Sequence, residues 1–476
     1  MRPSVSYPPA DCRVATGSEL NPALTSVRSA NSRTTLLQLH PKPTSCGPLS
    51  SSWKSCSAHF SASSFNLSKS QNETLGSQDD LVVLGIETSC DDTAAAIVRS
   101  NGDILSQVVS SQADLLARYG GVAPKMAEGA HMQVVQDALE NANLTERDLS
   151  AVAVTIGPGL SLCLRVGVQK ARKIAGSHNL PIVGVHHMEA HALVARIHPF
   201  HLGQFTHEVY EKFFSLICFS GGHNLLILAR DLGHYIQLGT TIDDAIGEAY
   251  DKIAKWLGLD MRRSGGPAIE ELAREGDAKA VKFSVSCFPR IVTSYAGLKT
   301  QVRLAIESRN INAEIPISSA SSEDRSSRAD IAASFQRVAV LHLEERCERA
   351  IEWALKIEPS IKHLVVSGGV ASNQYVRAQL DQVVKKKSLQ LVCPPPSLCT
   401  DNGVMVAWTG LEHFRMGRYD PPPPANEPED YVYDLRPRWP LGEEYSEGRS
   451  EARSLRTARI HPSLTSLIQA SMQQHS

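Results

Sequence analysis

The feature that most constrains the fold is an order of short apolar segments that occurs twice along the chain. Three β-branched or alternating runs, Leu81 to Glu87, Thr93 to Val98 and Asp103 to Val109, are separated by turns and predict a three-strand meander. Helical patterns and single strands then alternate as far as His191. Phe213 to Phe219 begins a second meander of the same kind, which helices and strands again follow. This order indicates an internal duplication.

The remaining elements fill in the same scheme. In the first half we predict helices over Glu128 to Ala142 and Leu162 to Ala175, and strands over Ala151 to Ile156 and Ile182 to Val185. In the second half we predict strands at Asn224 to Ala229, Tyr235 to Gly239, His363 to Val366 and Leu389 to Cys393. We predict helices there at Asp244 to Leu257, Pro267 to Arg274 and Ile331 to Leu355. A loop is predicted at Ser318 to Ser327. Two such repeats form mixed sheets covered by helices. We therefore predict the actin-like, duplicated two-lobe α/β fold of sugar kinases and chaperone ATPases.

The N-terminal segment differs in composition from the rest of the chain. Residues 1–72 contain seven Lys or Arg but two acidic residues, Asp11 and Glu19, with Ser throughout. Basic, Ser-rich, acid-poor sequence without an apolar core is typical of an organelle transit peptide, and a disordered extension without targeting meaning is the alternative. We predict a transit peptide over 1–79, a first lobe over 80–205, a second lobe over 206–420 and a disordered, Pro-rich and polar tail over 421–476.

Composition also limits the class of protein. No run approaches the roughly 20 apolar residues of a membrane-spanning helix, so we expect a soluble mature protein without a transmembrane segment. The ten Cys lack redox or metal-finger spacing, which favours a reducing compartment. The net charge of −2 becomes about −7 without the five excess positive charges (seven minus two) of residues 1–72. Binding of nucleic acid would need a partner protein or a local basic strip such as Arg262, Arg263 and Lys299.

Two histidines, His187 and His191, stand four residues apart in a predicted helix. This spacing puts both imidazoles on one helix face, close enough to share a metal ion. Zinc proteases with the same spacing have a Glu directly after the first His as general base. Met188 occupies that position here, and Glu189 should face another direction, which disfavours proteolysis. Two surface or capping histidines are the structural alternative.

Three Gly-containing turns follow predicted strands. Ser220 to His223 lies between two strands, whereas Gly157 to Ser161 and Ser367 to Asn373 each lead into a helix. Such turns can present backbone N–H groups to an anion, and a helix N-terminus favours phosphate. Ordinary tight turns are the alternative. The amide of Asn373 could hold ribose hydroxyls or a base.

Three acidic residues complete the candidate set. Asp401 follows a Pro-rich loop and is either a helix N-cap or an oxygen ligand beside the two histidines. Two imidazoles and one carboxylate suit Zn²⁺ or Fe²⁺. Asp91 and Asp92 lie in the first hairpin turn, where actin-like enzymes hold nucleotide phosphates or the attached metal, although Asp is common in turns.

In their order, these motifs closely resemble the tRNA N6-adenosine threonylcarbamoyltransferase family, formerly labelled O-sialoglycoprotein endopeptidases. The resemblance covers about 81–417, and the N-terminal extension makes the chain similar to the mitochondrial member of a plant, with plastid as the second location. It is carried by Gly85 to Thr93, Gly157 to Leu160, His187 to His191, Ser220 to His223, Asp243 to Lys252, Gly265 to Pro267, Gly297 to Thr300, Ser367 to Asn373 and Thr400 to Asn402.

The resemblance implies one divalent metal ion, bound by His187, His191 and Asp401. It implies transfer of the threonylcarbamoyl group from threonylcarbamoyl-adenylate, made by a separate synthase, to N6 of adenosine 37 in tRNAs that read codons beginning with A. The products are t6A and AMP, and organellar relatives imply a homodimer. An actin-like ATPase or regulatory protein and a metalloprotease are the alternatives. The implied catalytic residues are Asp91 and Asp92, and the implied substrate contacts are Cys218, Phe219, Ser220, Gly221, Gly222, Asp251, Gly266, Glu270 and Asn373.

Deletion of residues 1–78 should leave folding intact and strand the protein in the cytosol, because a segment of this composition cannot build a core. Fluorescent fusions of the full-length and shortened chains would be localised by microscopy, and thermal melting of both purified chains would serve as the control for folding. Import of the shortened chain at the full-length level would contradict the transit peptide.

Overall fold

The computed structural model describes residues 80–90, 92–110, 124–201, 215–220, 224–261, 264–284, 292–428, 431 and 433–445; of these, 124–132, 198–201, 215–220 and 292 are described by their backbone alone. The strands are β1 Val82–Glu87, β2 Thr93–Arg99, β3 Ile104–Ser110, β4 Ala151–Gly157, β5 Ile182–His186, β6 Ser215–Ser220, β7 Asn224–Asp231, β8 His234–Thr241, β9 Val292–Thr293, β10 His363–Ser367, β11 Gln390–Val392 and β12 Glu443–Glu444. The helices are α1 Pro124–Ala142, α2 Ser161–His178, α3 His187–His201, α4 Ile246–Trp256, α5 Gly265–Ala273, α6 Ala296–Ser308, α7 Ser322–Ile357, α8 Gln374–Lys386 and α9 Gly403–Arg415.

The first sheet has the strand order β3-β2-β1-β4-β5. The first three strands form an antiparallel meander, and β4 and β5 run parallel to β1. Helices α1 and α2 pack on one face, around Leu84 and Ile86, and α3 and α9 pack on the other, around Val83 and Ala96. Strands β1 and β4 are buried along their whole length because both faces are covered.

The second sheet repeats this order. It runs β11-β10-β6-β7-β8-β12, so the meander β6, β7 and β8 corresponds to the first three strands, and the parallel strands β10 and β11 correspond to β4 and β5. Strands β9 and β12 are additions beside β8. The matching orders confirm the predicted duplication and the actin-like α/β fold. None of the helices in the described ranges combines the length and the hydropathy that crossing a membrane requires.

The long helix α7 begins earlier than the sequence indicated. We predicted a loop over Ser318 to Ser327, but the helix already begins at Ser322. The hydroxyl of Ser321 caps it by accepting the backbone N–H of Asp324 at 3.2 Å. The carboxylate of Asp324 then binds the buried guanidinium of Arg328, one turn further along. The polar stretch is therefore a helix start rather than a loop.

The segment after α9 packs against both sheets, so the prediction of disorder from residue 421 is wrong for 421–428 and 433–445. The backbone N–H of Arg436 donates to the Ile156 carbonyl at the end of β4. Trp439 packs against the buried cluster around Leu84 and Ile86 of the first sheet. Further on, Leu441 is buried and β12 pairs with β8. The apolar and aromatic side chains among the prolines supply the burial that a disordered tail lacks. Residues 1–79 and 446–476 lie outside the described ranges, and the predicted lobe boundaries stay predictions.

Helix α9 follows the second half in sequence but packs on the first sheet, against β1, β2 and β4. Glycines make this contact close. A Cβ added at Gly85 would lie 2.2 Å from the backbone nitrogen of Ala407, and one added at Gly403 would lie 2.4 Å from the carbonyl carbon of Ala95. Only a hydrogen fits at either position, and the start of α9 is thereby fixed over the first sheet.

The substitution Gly85→Ala should lower the free energy of unfolding by about 3 kcal/mol or more, because the added methyl group meets backbone on α9 that cannot move aside locally. Gly369→Ala is the matched control, since no atom lies within 4 Å of its added Cβ. Urea unfolding of both variants and the wild type would measure the difference. Equal stability of the two variants would contradict the close packing of α9.

Candidate metal centre and substrate site

His187, His191 and Asp401 meet where α3 and α9 begin. The Nε2 atom of His191 lies 3.0 Å from Oδ1 of Asp401, and Nε2 of His187 lies 3.6 Å from the same oxygen. The two rings are edge to face, with centroids 4.8 Å apart. Both imidazoles are buried, whereas the side chain of Asp401 is 35% exposed and gives the group an open side.

The structure excludes the alternative role of Asp401 as a helix cap. Asn402 caps α9 instead: its Oδ1 accepts the backbone N–H of Met405 at 2.9 Å, and its Nδ2 donates to the carbonyl of Thr400 at 2.7 Å. The Asp401 carboxylate lies against the two imidazoles rather than over the helix end. The predicted ligand set is therefore brought together.

The donor atoms fit a metal ion. One ligand atom from each of the three residues can be chosen so that all lie within 4.8 Å of one another. Two imidazole nitrogens and one carboxylate oxygen with an open side match the ligand preferences of zinc and of non-haem iron sites.

Sequence reasoning missed Glu87, which ends the apolar strand β1. Its Oε2 lies 3.1 Å from Nδ1 of His187 and accepts the hydroxyl of Thr155 at 2.6 Å, and its Oε1 accepts the backbone N–H of Ser89 at 2.6 Å. The available signal was an acidic residue at the end of a run in which every position is buried.

Neighbouring charges, more than burial, set the protonation of His187 and Glu87. Burial opposes a charge on His187, but the carboxylates of Glu87 and Asp401 outweigh it and raise the pKa of His187 to about 9. Burial likewise opposes a charge on Glu87, yet His187 holds the pKa of that carboxyl below its usual value. Glu87 and His187 thus form a buried ion pair beside Asp401.

Glu189 points away from the histidine pair, as predicted. It accepts the hydroxyl of Tyr235 at 2.7 Å and the backbone N–H of Gly233 at 3.2 Å, and it lies 3.1 Å from Nε2 of His413. A carboxylate held by these three groups does not reach a substrate beside the metal position. Glu189 is therefore not placed to act as a protease-like general base.

A third histidine, His186, caps the helix that carries the other two. Its Nδ1 accepts the backbone N–H groups of Met188 and Glu189 at 3.1 and 3.4 Å, and its Nε2 donates to the carbonyl of Trp439 at 3.1 Å. Burial lowers the pKa of His186 to about 4, so the ring is neutral and can accept at one nitrogen while it donates at the other. This role was also missed, because its partner Trp439 lies in a segment expected to be disordered.

In the second half, the structure connects Asp251, Glu270 and Asn373. Asp251 Oδ1 accepts the backbone N–H of Gly265 at 2.6 Å and so holds the start of α5. Glu270, on α5, accepts the backbone N–H of Gln374 at 2.9 Å, which is the start of α8. Gly266 faces open space, since no atom lies within 4 Å of the Cβ position. Asp251, Gly266, Glu270 and Asn373 therefore lie at or near the N-termini of α5 and α8.

The Asn373 amide already has partners. Its Oδ1 accepts the backbone N–H of Val376 at 3.1 Å as the cap of α8, and its Nδ2 donates to Oε1 of Gln336 at 3.2 Å. One amide hydrogen is left for a ligand, because an Asn side chain has two N–H donors. Replacement of Asn373 would therefore change the helix cap as well as any ligand contact.

The other predicted residues are described in part. Cys218, Phe219 and Ser220 lie at the end of β6, where Phe219 is paired with Ser367 of β10, so the two strands end side by side. Asp92 precedes β2 and is partly buried. Lys299 of the predicted basic strip binds Asp244. Asp91, Gly221, Gly222, Arg262 and Arg263 lie outside the described residues.

Proteins of one named family are similar to this chain over most of its length. A family model described as tRNA N6-adenosine threonylcarbamoyltransferase, TsaD, matches residues 103–408. A relative from Arabidopsis thaliana, named probable tRNA N6-adenosine threonylcarbamoyltransferase, mitochondrial, is 74% identical over 403 residues, which cover 83% of this chain and 82% of that protein. The enzyme of the same name from Rhizobium etli (strain CIAT 652) is 42% identical over 372 residues, 75% of this chain and 94% of its own.

Two further proteins extend the comparison. The mitochondrial tRNA N6-adenosine threonylcarbamoyltransferase of Xenopus tropicalis is 40% identical over 350 residues, 71% of this chain and 83% of its own. Among solved structures, HypF of T. kodakarensis aligns with 71% of this chain and 48% of its own, at 15% identity and a TM-score of 0.45. On the family match and these sequence relatives, the chain belongs to the tRNA N6-adenosine threonylcarbamoyltransferase family.

Proposed function

We propose that the metal centre and the two Gly turns of the second sheet form one active site. Family membership makes the chain a tRNA-modifying acyltransferase that produces t6A. We place the active site where His187, His191 and Asp401 come together at the starts of helices α3 and α9. Helix α3 also packs on β6 and β10 of the second sheet, and Met188 and Ala192 share a buried apolar cluster with Val365. The histidine pair therefore stands beside the strands from which the Gly turns emerge.

The proposed reaction is acyl transfer. The exocyclic amine of adenosine 37 attacks the carbamoyl carbonyl of threonylcarbamoyl-adenylate, the new N–C bond forms, the bond between that carbon and the phosphate oxygen breaks, and AMP leaves with the loss of one proton from the amine. Zn²⁺ or Fe²⁺ held by His187, His191 and Asp401 would supply a Lewis acid for the carbonyl and phosphate oxygens. Backbone N–H groups at Gly221 and Gly222 would stabilise the developing negative charge.

Each end of the adenylate has its own set of residues in this proposal. Cys218, Phe219 and Ser220 approach the threonylcarbamoyl end along β6, and Asp91 and Asp92 act near the phosphate. The nucleoside part lies against Gly266, the open position beside Asp251 and Glu270. The remaining amide hydrogen of Asn373 would contact the ribose or the base. The carboxylates of Asp251 and Glu270 accept the first N–H groups of α5 and α8, so these helix ends suit the neutral nucleoside rather than the phosphate.

The cellular setting follows from composition and from relatives. The basic, acid-poor residues 1–72 and the mitochondrial names of the Arabidopsis and Xenopus relatives support a mitochondrial enzyme. A separate synthase would supply the adenylate, and a homodimer is the proposed assembly. The tRNA would be recognised through a local basic surface, because the chain without its N-terminal segment is acidic overall.

The substitutions His191→Ala and Asp401→Ala should each lower the bound metal and abolish transfer, because each removes a ligand. Bound metal would be measured by elemental analysis, and transfer by mass spectrometry of tRNA nucleosides after incubation with preformed threonylcarbamoyl-adenylate. Phosphate release from ATP serves as the second assay, in which the wild type should be slow. Rapid ATP hydrolysis without tRNA modification would instead support the ATPase alternative.

Metal binding should release about one proton per ion near neutral pH. The raised pKa of His187, about 9, means that below this pH both ring nitrogens carry a proton, and a metal ion must displace the second of the two. Apparent affinity should therefore rise about tenfold per pH unit up to about pH 9 and then level off. Zn²⁺ calorimetry in two buffers of different ionisation enthalpy would count the protons. A pH-independent affinity between pH 7 and 9 would contradict the proposed protonation.

A further inference from the structure

We propose that Glu87 is a positioning residue for the metal, which fixes the tautomer and the orientation of His187. This inference rests on the metal site proposed above. Glu87 is not one of the three ligands, and neither motif spacing nor its place at the end of β1 predicted a role for it. The role is inferred from the contacts that its carboxylate makes with His187, Thr155 and Ser89.

The two nitrogens of His187 face different partners. Nδ1 lies 3.1 Å from Oε2 of Glu87, and Nε2 points to Asp401, whose Oδ1 is 3.6 Å away. An ionised carboxylate can only accept a hydrogen bond, so the proton of the neutral ring belongs on Nδ1. The lone pair of Nε2 then faces the position between His187, His191 and Asp401. Metal-bound histidines are commonly oriented by a carboxylate in this way.

Glu87 is itself held as an acceptor. Its side chain is 2% exposed, and two groups donate to it: the Thr155 hydroxyl to Oε2 and the Ser89 backbone N–H to Oε1, both at 2.6 Å. Thr155 comes from β4, which runs parallel to β1 as its direct neighbour. Two adjacent strands therefore fix the carboxylate, and the carboxylate fixes the ring.

Two other residues allow this role to be separated from general stabilisation. The hydroxyl of Ser89 also lies 3.1 Å from Nδ1 of His187 and is the rival partner of that nitrogen. Glu189 is a buried carboxylate on α3 that also accepts hydrogen bonds, but its partners are Tyr235, Gly233 and His413. Loss of the Glu189 charge should disturb the fold without turning the His187 ring.

The experiment measures Zn²⁺ affinity of the full chain by competition with a chromophoric chelator, and records the visible absorption of the Co²⁺-loaded protein. Glu87→Gln should weaken Zn²⁺ binding about ten- to a hundredfold and change the Co²⁺ bands, because the second partner of a ligating histidine is lost. Glu189→Gln should keep Zn²⁺ affinity within about threefold of wild type, whatever its melting temperature. Thr155→Val should give a smaller loss than Glu87→Gln and keeps the test open should Glu87→Gln fail to fold.

The outcomes separate this inference from the metal site itself. Retained Zn²⁺ binding in Asp401→Ala would remove the proposed site. Loss of Zn²⁺ in Asp401→Ala, with wild-type affinity in both Glu87→Gln and Thr155→Val, would overturn the role of Glu87 alone. A loss in Ser89→Ala with none in Glu87→Gln would assign the positioning to the hydroxyl instead.

Discussion

The rest of the site depends on the close packing of α9 on the first sheet. At Gly85 and Gly403 any side chain would collide with the backbone of the neighbouring element, and at Gly410 a Cβ would lie 2.2 Å from the Cβ atom of Ala153. This contact returns the chain from the second half to the first and delivers Asp401 to the start of α3. The carboxylate proposed as the third ligand is therefore positioned by van der Waals packing between α9 and the first sheet. A helix that stood one side chain further out would carry its carboxylate away from the histidines.

Helix α3 is anchored from three directions by polar side chains at its start, those of His186, His187 and Glu189. His186 caps the helix and binds the carbonyl of Trp439, His187 binds Glu87 on the first sheet, and Glu189 binds Tyr235 on the second. Each of these groups is buried, so an unpaired one would cost considerable free energy. The mutual satisfaction of these groups holds the helix between the two sheets. Of these contacts, the one from Glu87 reaches the ring of a proposed ligand directly, whereas those of His186 and Glu189 stabilise the helix as a whole.

The sequence predicted the elements well where the pattern is local, and less well where partners are remote. Apolar runs such as Val82–Glu87 and the i, i+4 histidines can be read directly, since their periods belong to one strand or helix. The pairing of Asp401 with His191, and of Glu87 with His187, depends on contacts between residues about 100 or more positions apart. Trp439 packs on His186, which lies far away in the sequence. The Pro-rich sequence around Trp439 gives no local sign of this contact, which forms only in the folded protein.

The central claim is that two imidazoles and one carboxylate hold the metal of this transferase. X-ray absorption at the metal edge of the purified full-length protein tests it most directly, because imidazole rings give a characteristic multiple-scattering signal. The account predicts two imidazole ligands at about 2.0–2.1 Å with oxygen completing the shell, and one imidazole fewer in His191→Ala. Sulfur scattering at about 2.3 Å, or a wild-type spectrum without imidazole, would contradict it.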